Sequence, residues 1–191
     1  ANCSKLTELD VSGFNTAKVT QMNDMFQYCS SLTSLDLSGF DTAKVTNMNA
    51  MFNDCKSLTS LDVSGFDTSN VARMYNIFQY CSSLTSLDLS GFDTSKVTRM
   101  DYMFNACSSL TSLDLSGFDT VNVTDMNNMF KACSNLKEIG LIYASIDTIN
   151  DISAKAPQAT IFIDENLDIT DYTGTAPLKV YESFTTTITL T

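Results

Sequence analysis

Six cysteines, Cys3, Cys29, Cys55, Cys81, Cys107 and Cys133, fall 26 residues apart without a slip. A chain that keeps register with itself in this way has few folds open to it. One unit runs from Cys81 to Ala106, CSSLTSLDLSGFDTSKVTRMDYMFNA; near-copies open at Cys3, Cys29, Cys55 and Cys107, and Cys133 opens a degenerate sixth. Repetition at about 20 to 50 residues builds stacked supersecondary units that share one continuous core. The expected architecture is a solenoid over residues 1–145.

Each unit reads as one strand and one short helix. From Leu84 to Ser90 apolar and polar residues alternate, which places Leu87 and Leu89 on one face and Ser86, Asp88 and Ser90 on the other. Gly13, Gly39, Gly65, Gly91 and Gly117 mark a corner where the chain leaves the sheet. After it, Thr98 is placed to cap a helix, with Met100, Met103, Phe104 and Cys107 at helical i, i+3, i+4, i+7 spacing. Stacking sets equivalent residues in columns and the strands in a parallel ladder. All nine methionines fall in two such columns, and ten of the twelve phenylalanines in two more, a pattern of core rather than of a cofactor site. Residues 146–191 read as a C-terminal cap: Ile146, Ile149 and Ile152 keep helical spacing, Pro157 ends it, and Ala159–Ile163 and Leu178–Tyr181 read as strands. Ser183–Thr191 reads as a last strand or the start of a linker.

Composition narrows the function. A net charge of −11 over 191 residues argues against nucleic acid. The absence of histidine removes Ser-His and Cys-His dyads. Neither a glycine-rich phosphate loop nor a metal-ligand motif occurs, so a non-enzymatic protein without cofactor or metal is expected. No apolar run reaches 18 residues, and no membrane insertion is expected. Phe stands three residues before each internal Cys, whereas only Ala1 and Asn2 precede Cys3. The chain therefore reads as a fragment cut within a repeat, its signal and anchor outside, with an open N-terminal edge suited to end-to-end self-association.

The candidate binding face is the outward side of the concave sheet. Asp10, Asp36, Asp62, Asp88 and Asp114 recur once per strand beside Ser34, Ser60, Ser86 and Ser112. Carboxylates about 5 Å apart repel by roughly 1 kcal/mol in water, so raised pKa values are expected unless cations collect. Three readings stand: a solvated face, an acidic strip for a basic protein partner, or a calcium site in which serine and water supply most oxygens. A second column, Asn15, Asp41, Asp67, Asp93 and Asp119, reads as turn-capping. The cysteine column reads as buried free thiols, with bridges between turns or metal binding as alternatives.

Leu32, Leu35 and Leu37 form the LxxLxL strand signature of leucine-rich repeats. Together with Phe78, Cys81, Leu84 and Leu87, and with LSGFDTSKVTxMxxMF, the pattern resembles the BspA-like leucine-rich-repeat surface proteins of bacteria and mycoplasmas over residues 1 to about 142. The resemblance implies a right-handed α/β solenoid with short convex helices, secreted or displayed on a bacterial cell surface for adhesion, host extracellular matrix proteins being among the partners of such relatives. Phe92 stands where many leucine-rich repeats have Asn, which implies a buried phenylalanine spine in place of an Asn ladder. The rival function is a structural spacer that projects another domain. A binding surface should contain a patch where the repeats differ from one another; a spacer need not.

Overall fold

Successive turns lie on one another with an offset written into the backbone hydrogen bonds of a computed structural model that describes residues 3–181. The amide of Thr46 donates to the carbonyl of Thr20 at 2.9 Å, and Ala72, Thr98 and Thr124 each donate to the residue 26 positions earlier. In the other direction the amides of Met22, Asp24, Phe26 and Tyr28 donate to the carbonyls of Asn47, Asn49, Met51 and Asn53. The same set recurs from Met48, from Met74 and from Met100. Parallel bridges join Gln21, Asn47, Arg73, Arg99 and Asp125 in one row. The result is a solenoid-like stack.

The expected helix in each unit does not form. Among the described residues the one α-helix lies outside the complete repeats. In its place the chain makes a string of tight turns: Met51 N–H donates to Met48 O, Asn53 N–H to Ala50 O and Cys55 N–H to Phe52 O, at 3.3, 3.1 and 3.1 Å. Two residues per unit take left-handed backbone, as at Ala50 (φ 51°) and Asp54 (φ 63°). Such a residue interrupts an α-helix, and alternate amides are already committed to the next turn. The string nevertheless brings Met48, Met51, Phe52 and Cys55 into the core, which is why the spacing imitates a helix.

Among the described residues none of the ten left-handed positions is glycine, and none of the corner glycines has positive φ, so glycine does not supply the left-handed backbone of this fold. Left-handed backbone costs a residue with a Cβ about 1–2 kcal/mol, whereas the added freedom of glycine in the unfolded chain costs about 0.5–1 kcal/mol. Ala132 is exposed with φ 62°. Ala132→Gly is therefore expected to stabilise by roughly 0.5–1 kcal/mol, read as a higher urea midpoint at unchanged m-value; an equal or lower midpoint would show that the left-handed strain is not there to be relieved.

The core is built of columns. Phe26, Phe52, Phe78, Phe104 and Phe130 stack with ring centroids 5.6–5.8 Å apart and planes within 13° of parallel. The stacked rings thus belong to the Phe78 column, and the column containing Phe92 forms a second buried one. Its Phe40, Phe66, Phe92 and Phe118 are buried, while Phe14 is 50% exposed. A polar column runs through the same interior. Thr16, Thr42, Thr68, Thr94 and Thr120 are buried. The Thr42 hydroxyl donates to Asp67 O at 3.0 Å and accepts the Asp67 amide at 2.8 Å. Thr16 does the same with Asp41, Thr68 and Thr94 donate to Asp93 O and Asp119 O, and Thr120 donates to Tyr143 O. These threonines satisfy backbone groups that would otherwise be stranded on leaving the turn.

Extended strands also pair less widely than a strand per unit requires. The hydrogen-bonded sheet comprises β1 (Ser112–Asp114), β2 (Glu138–Gly140), β3 (Thr160–Ile163) and β4 (Leu178–Val180), all parallel and in that order. In the earlier units the corresponding segments around Asp10, Asp36, Asp62 and Asp88 form no ladder. At the 26-residue offset a ladder there would set Asp against Asp, and like charges opposed across strands are unfavourable. Pairing begins where Asp114 meets Gly140 instead. Between β2 and β3 lies α1 (Ile146–Lys155), where Ser145 Oγ accepts the Thr148 amide at 3.3 Å and Ile149 and Ile152 are buried. Ser153 Oγ then accepts the amides of Thr175 and Ala176, both at 2.8 Å, and the Tyr172 hydroxyl at 2.9 Å, which ties the segment before β4 to α1. The helix and the two strands expected after residue 145 are thus present, and they continue the sheet of the repeats. The reading of Ser183–Thr191 lies outside the described residues.

Candidate functional site

Alternation places the candidate residues where the sequence indicates. Leu35 and Leu37 are buried, whereas Ser34, Asp36 and Ser38 are exposed, and the same holds around Asp62. Asp10, Asp88 and Asp114 and Ser60, Ser86 and Ser112 are likewise exposed. The nine residues share one face.

Each carboxylate is fixed locally. Asp10, Asp36, Asp62, Asp88 and Asp114 accept the amide of the serine two residues on, all at 2.9 Å. The Ser64 hydroxyl also donates to Asp62 at 2.7 Å. Hydrogen bonds to the ionised form favour it. They hold Asp10 and Asp62 below the usual carboxylate value, the serine hydroxyl contributing most and the serine amide next. In Asp36 and Asp88 the amide contributes most, followed by the hydroxyl. Repulsion from Asp62 and Asp10 raises Asp36, but less than its serine lowers it. The rise expected from like-charge crowding is thereby overturned for these four: the serine two residues on outweighs neighbours one turn away across water.

Along the row, register continues from Asp114 to Gly140, Phe162 and Lys179. The carboxylates therefore run through five turns before a basic residue occupies the same station. Shallow hollows open between them. One of about 250 Å³ is bordered by Asp88, Asp114 and the side of Phe118, and a smaller one of about 140 Å³ by Asp10, Asp36 and Phe40. Each brackets two successive carboxylates over an apolar floor, a shape suited to the stem and head of a lysine or arginine side chain. No group of three or more metal-ligating side chains occurs among the described residues.

The second acidic column caps turns. Asn15, Asp41, Asp67, Asp93 and Asp119 each accept an amide two residues on, at 2.9–3.2 Å. All six thiols are free, and five are buried, Cys3 being exposed. Cys55, Cys81, Cys107 and Cys133 donate to the carbonyls of Phe26, Phe52, Phe78 and Phe104 at 3.0–3.2 Å. The Thr beside the second acidic column, expected with it to bond nearby backbone amides, accepts those of Asp41 and Asp67 at Thr16 and Thr42; its burial against the following turn is the part that stacking reveals.

Where the repeats do differ is along the turn strings. The bridged row reads Gln21, Asn47, Arg73, Arg99, Asp125. Arg99 is clamped by Asp101 at 2.9 and 2.8 Å, and its guanidinium lies 4.6 Å from the centroid of the Tyr75 ring.

Comparison with known proteins gives three results. The family model described as "Mycoplasma protein of unknown function, DUF285" matches residues 1–88 and 59–163. No curated protein matches the chain. A solved leucine-rich cell surface protein from Faecalibacterium prausnitzii A2-165 superposes with a TM-score of 0.49 at 22% identity, over 72% of this chain and 33% of that one; the present chain thus spans about a third of that protein.

Proposed function

The chain belongs to the DUF285 family of mycoplasma proteins, and we propose that it is a non-enzymatic, surface-displayed module that binds a basic protein partner through its Ser/Asp face. The observation that carries this reading is the row of carboxylates, exposed and oriented by their serines, with Asp10, Asp36, Asp62 and Asp88 held ionised and hollows between successive carboxylates sized for a cationic side chain. Complementary charge speeds encounter and selects the partner. The same reading takes the array as a right-handed solenoid of the BspA-like type, closed by residues 146–181, with host extracellular matrix proteins as the class of partner to examine first. Surface display rests on the resemblance of the repeat.

The test is binding to a panel of host matrix and plasma proteins, beside a variant with Asp36→Asn, Asp62→Asn and Asp88→Asn. Binding that weakens with salt, and by roughly tenfold or more in the variant, is expected. Because Asp36, Asp62 and Asp88 are held below 3.8, binding should persist as the pH falls to that value and fade only beneath it. The near-identity of Ser-x-Asp-x-Ser from unit to unit favours the spacer as second reading. Failure to bind any panel member would select it.

A further inference from the structure

The repeat leaves one junction unfinished. Val45, Val71 and Val97, and Met48, Met74 and Met100, are each sealed by the turn that follows. Their counterparts in the fifth unit, Val123 and Met126, are only partly buried, because the chain departs from the repeat at Tyr143 and enters α1. A two-lobed cleft remains between the fifth unit and the helix. The larger lobe, about 440 Å³, is walled by Val121 and Tyr143, which are 79% and 61% exposed. The smaller, about 270 Å³, runs along Thr124–Asn127, and both touch Met126 and Thr148.

Backbone groups at this edge are vacant in a specific way. At the four earlier junctions the carbonyls of Thr20, Thr46, Ala72 and Thr98 accept from the next turn, and the amides of Met22, Met48, Met74 and Met100 donate to it. Thr124 O and Met126 N–H occupy the same stations on the cleft, and among the described residues no backbone group takes them up. The charge is one-sided. Asp119, Asp125, Asp147 and Asp151 border the two lobes and no Lys or Arg does, although Asp125 and Asp151 also lie 3.9 Å from Arg99 and 4.0 Å from Lys155.

We propose that this cleft binds an extended peptide in which a basic side chain adjoins an apolar one, added in parallel as a further rung beside Thr124–Asn127. A peptide amide donates to Thr124 O and a peptide carbonyl accepts from Met126 N–H. An apolar side chain covers Met126 and Val123, and the adjacent basic one faces Asp125 and Asp147. Edge addition draws affinity from the main chain and specificity from the flanking pockets.

The probe is a fluorescein-labelled peptide copying residues 96–103, KVTRMDYM, which carries two adjacent basic–apolar pairs, Lys96–Val97 and Arg99–Met100. Saturable binding is expected, with slowed hydrogen exchange at the Met126 amide. Asp125→Asn combined with Asp147→Asn should weaken it roughly tenfold, as should Arg→Glu in the peptide. The variant altered at Asp36, Asp62 and Asp88 should bind unchanged, which separates this cleft from the Ser/Asp face. No binding at about millimolar peptide, an unaltered Met126 amide, or loss only in the Ser/Asp variant would each overturn the proposal.

Discussion

Raising the pH from about 8 to about 10 is expected to remove roughly 5 kcal/mol from the stability of this protein, through its thiol column. Burial pushes Cys55 and Cys133 from an ordinary 9.0 up to about 12, and pushes Cys81 and Cys107 well above it. Burial raises Cys29 as well, so the folded state keeps at least four protons that the unfolded chain releases above 9.0. With fewer protons bound in the unfolded state, stability falls as pH rises; it is fully present below the unfolded value and declines until the folded values are reached. One pH unit above the unfolded pKa, each thiol accounts for about 1 kcal/mol or somewhat more, and four of them reach a large share of the roughly 5–15 kcal/mol that holds a typical domain together. Urea midpoints measured across this range should fall steadily, and Cys107→Ala should reduce the pH slope by about a quarter. A flat profile would mean that the thiols titrate in the folded state. The same experiment addresses bridging: free buried thiols react with a thiol reagent in denaturant and not in native buffer, whereas bridged ones react in neither.

The period was legible because a stacked array repeats its core, and the Cys, Met and Phe columns print that core directly. The Ser/Asp face was legible as well, since two-residue alternation survives whether or not neighbouring strands pair. The helix was misread for a physical reason: a string of tight turns and a helix both deliver side chains to one side every three or four residues. The distinction lies in backbone bonds to a partner 25 residues away, as between Met22 and Asn47. Propensity does not report that bond. The pKa direction was missed differently. Asp-x-Ser is itself the signature of a carboxylate accepting an amide two residues on, and it lay in view at Asp36 and Ser38 while repulsion between turns was given the greater weight. The threonine column needed both: an unvarying Thr in the sequence and the stacking that puts it against the backbone of the next Asp.

Phe78→Ala should cost about 3–5 kcal/mol, whereas Phe14→Ala should cost less than about 1, although both residues stand at positions the repeat makes aromatic. Phe78 is fully buried between Phe52 and Phe104, with centroids at 5.8 and 5.7 Å and planes 1° and 9° from parallel. Truncation removes the transfer free energy of the ring, the stacking on both sides and the packing that fills the interior at that level. The neighbours have little room to collapse, since Thr68 is hydrogen-bonded to Asp93 O below them and Cys107 to the carbonyl of Phe78 itself. Phe14 is already half in water. Location should also alter the form of unfolding. In a quasi-linear array each turn is stabilised mainly by its two neighbours, so a defect at the third turn weakens the joint between two halves. The denaturant transition of Phe78→Ala should therefore broaden, the units nearer Cys3 losing structure before the part joined to the β1–β4 sheet. Amide exchange can read this directly, with protection of the Phe26 and Tyr28 amides lost at lower urea than that of Ile139 and Ile161. Equal costs for the two variants would contradict the stacked spine; a sharp single transition with uniform loss of protection would show that coupling along the array reaches further than one turn.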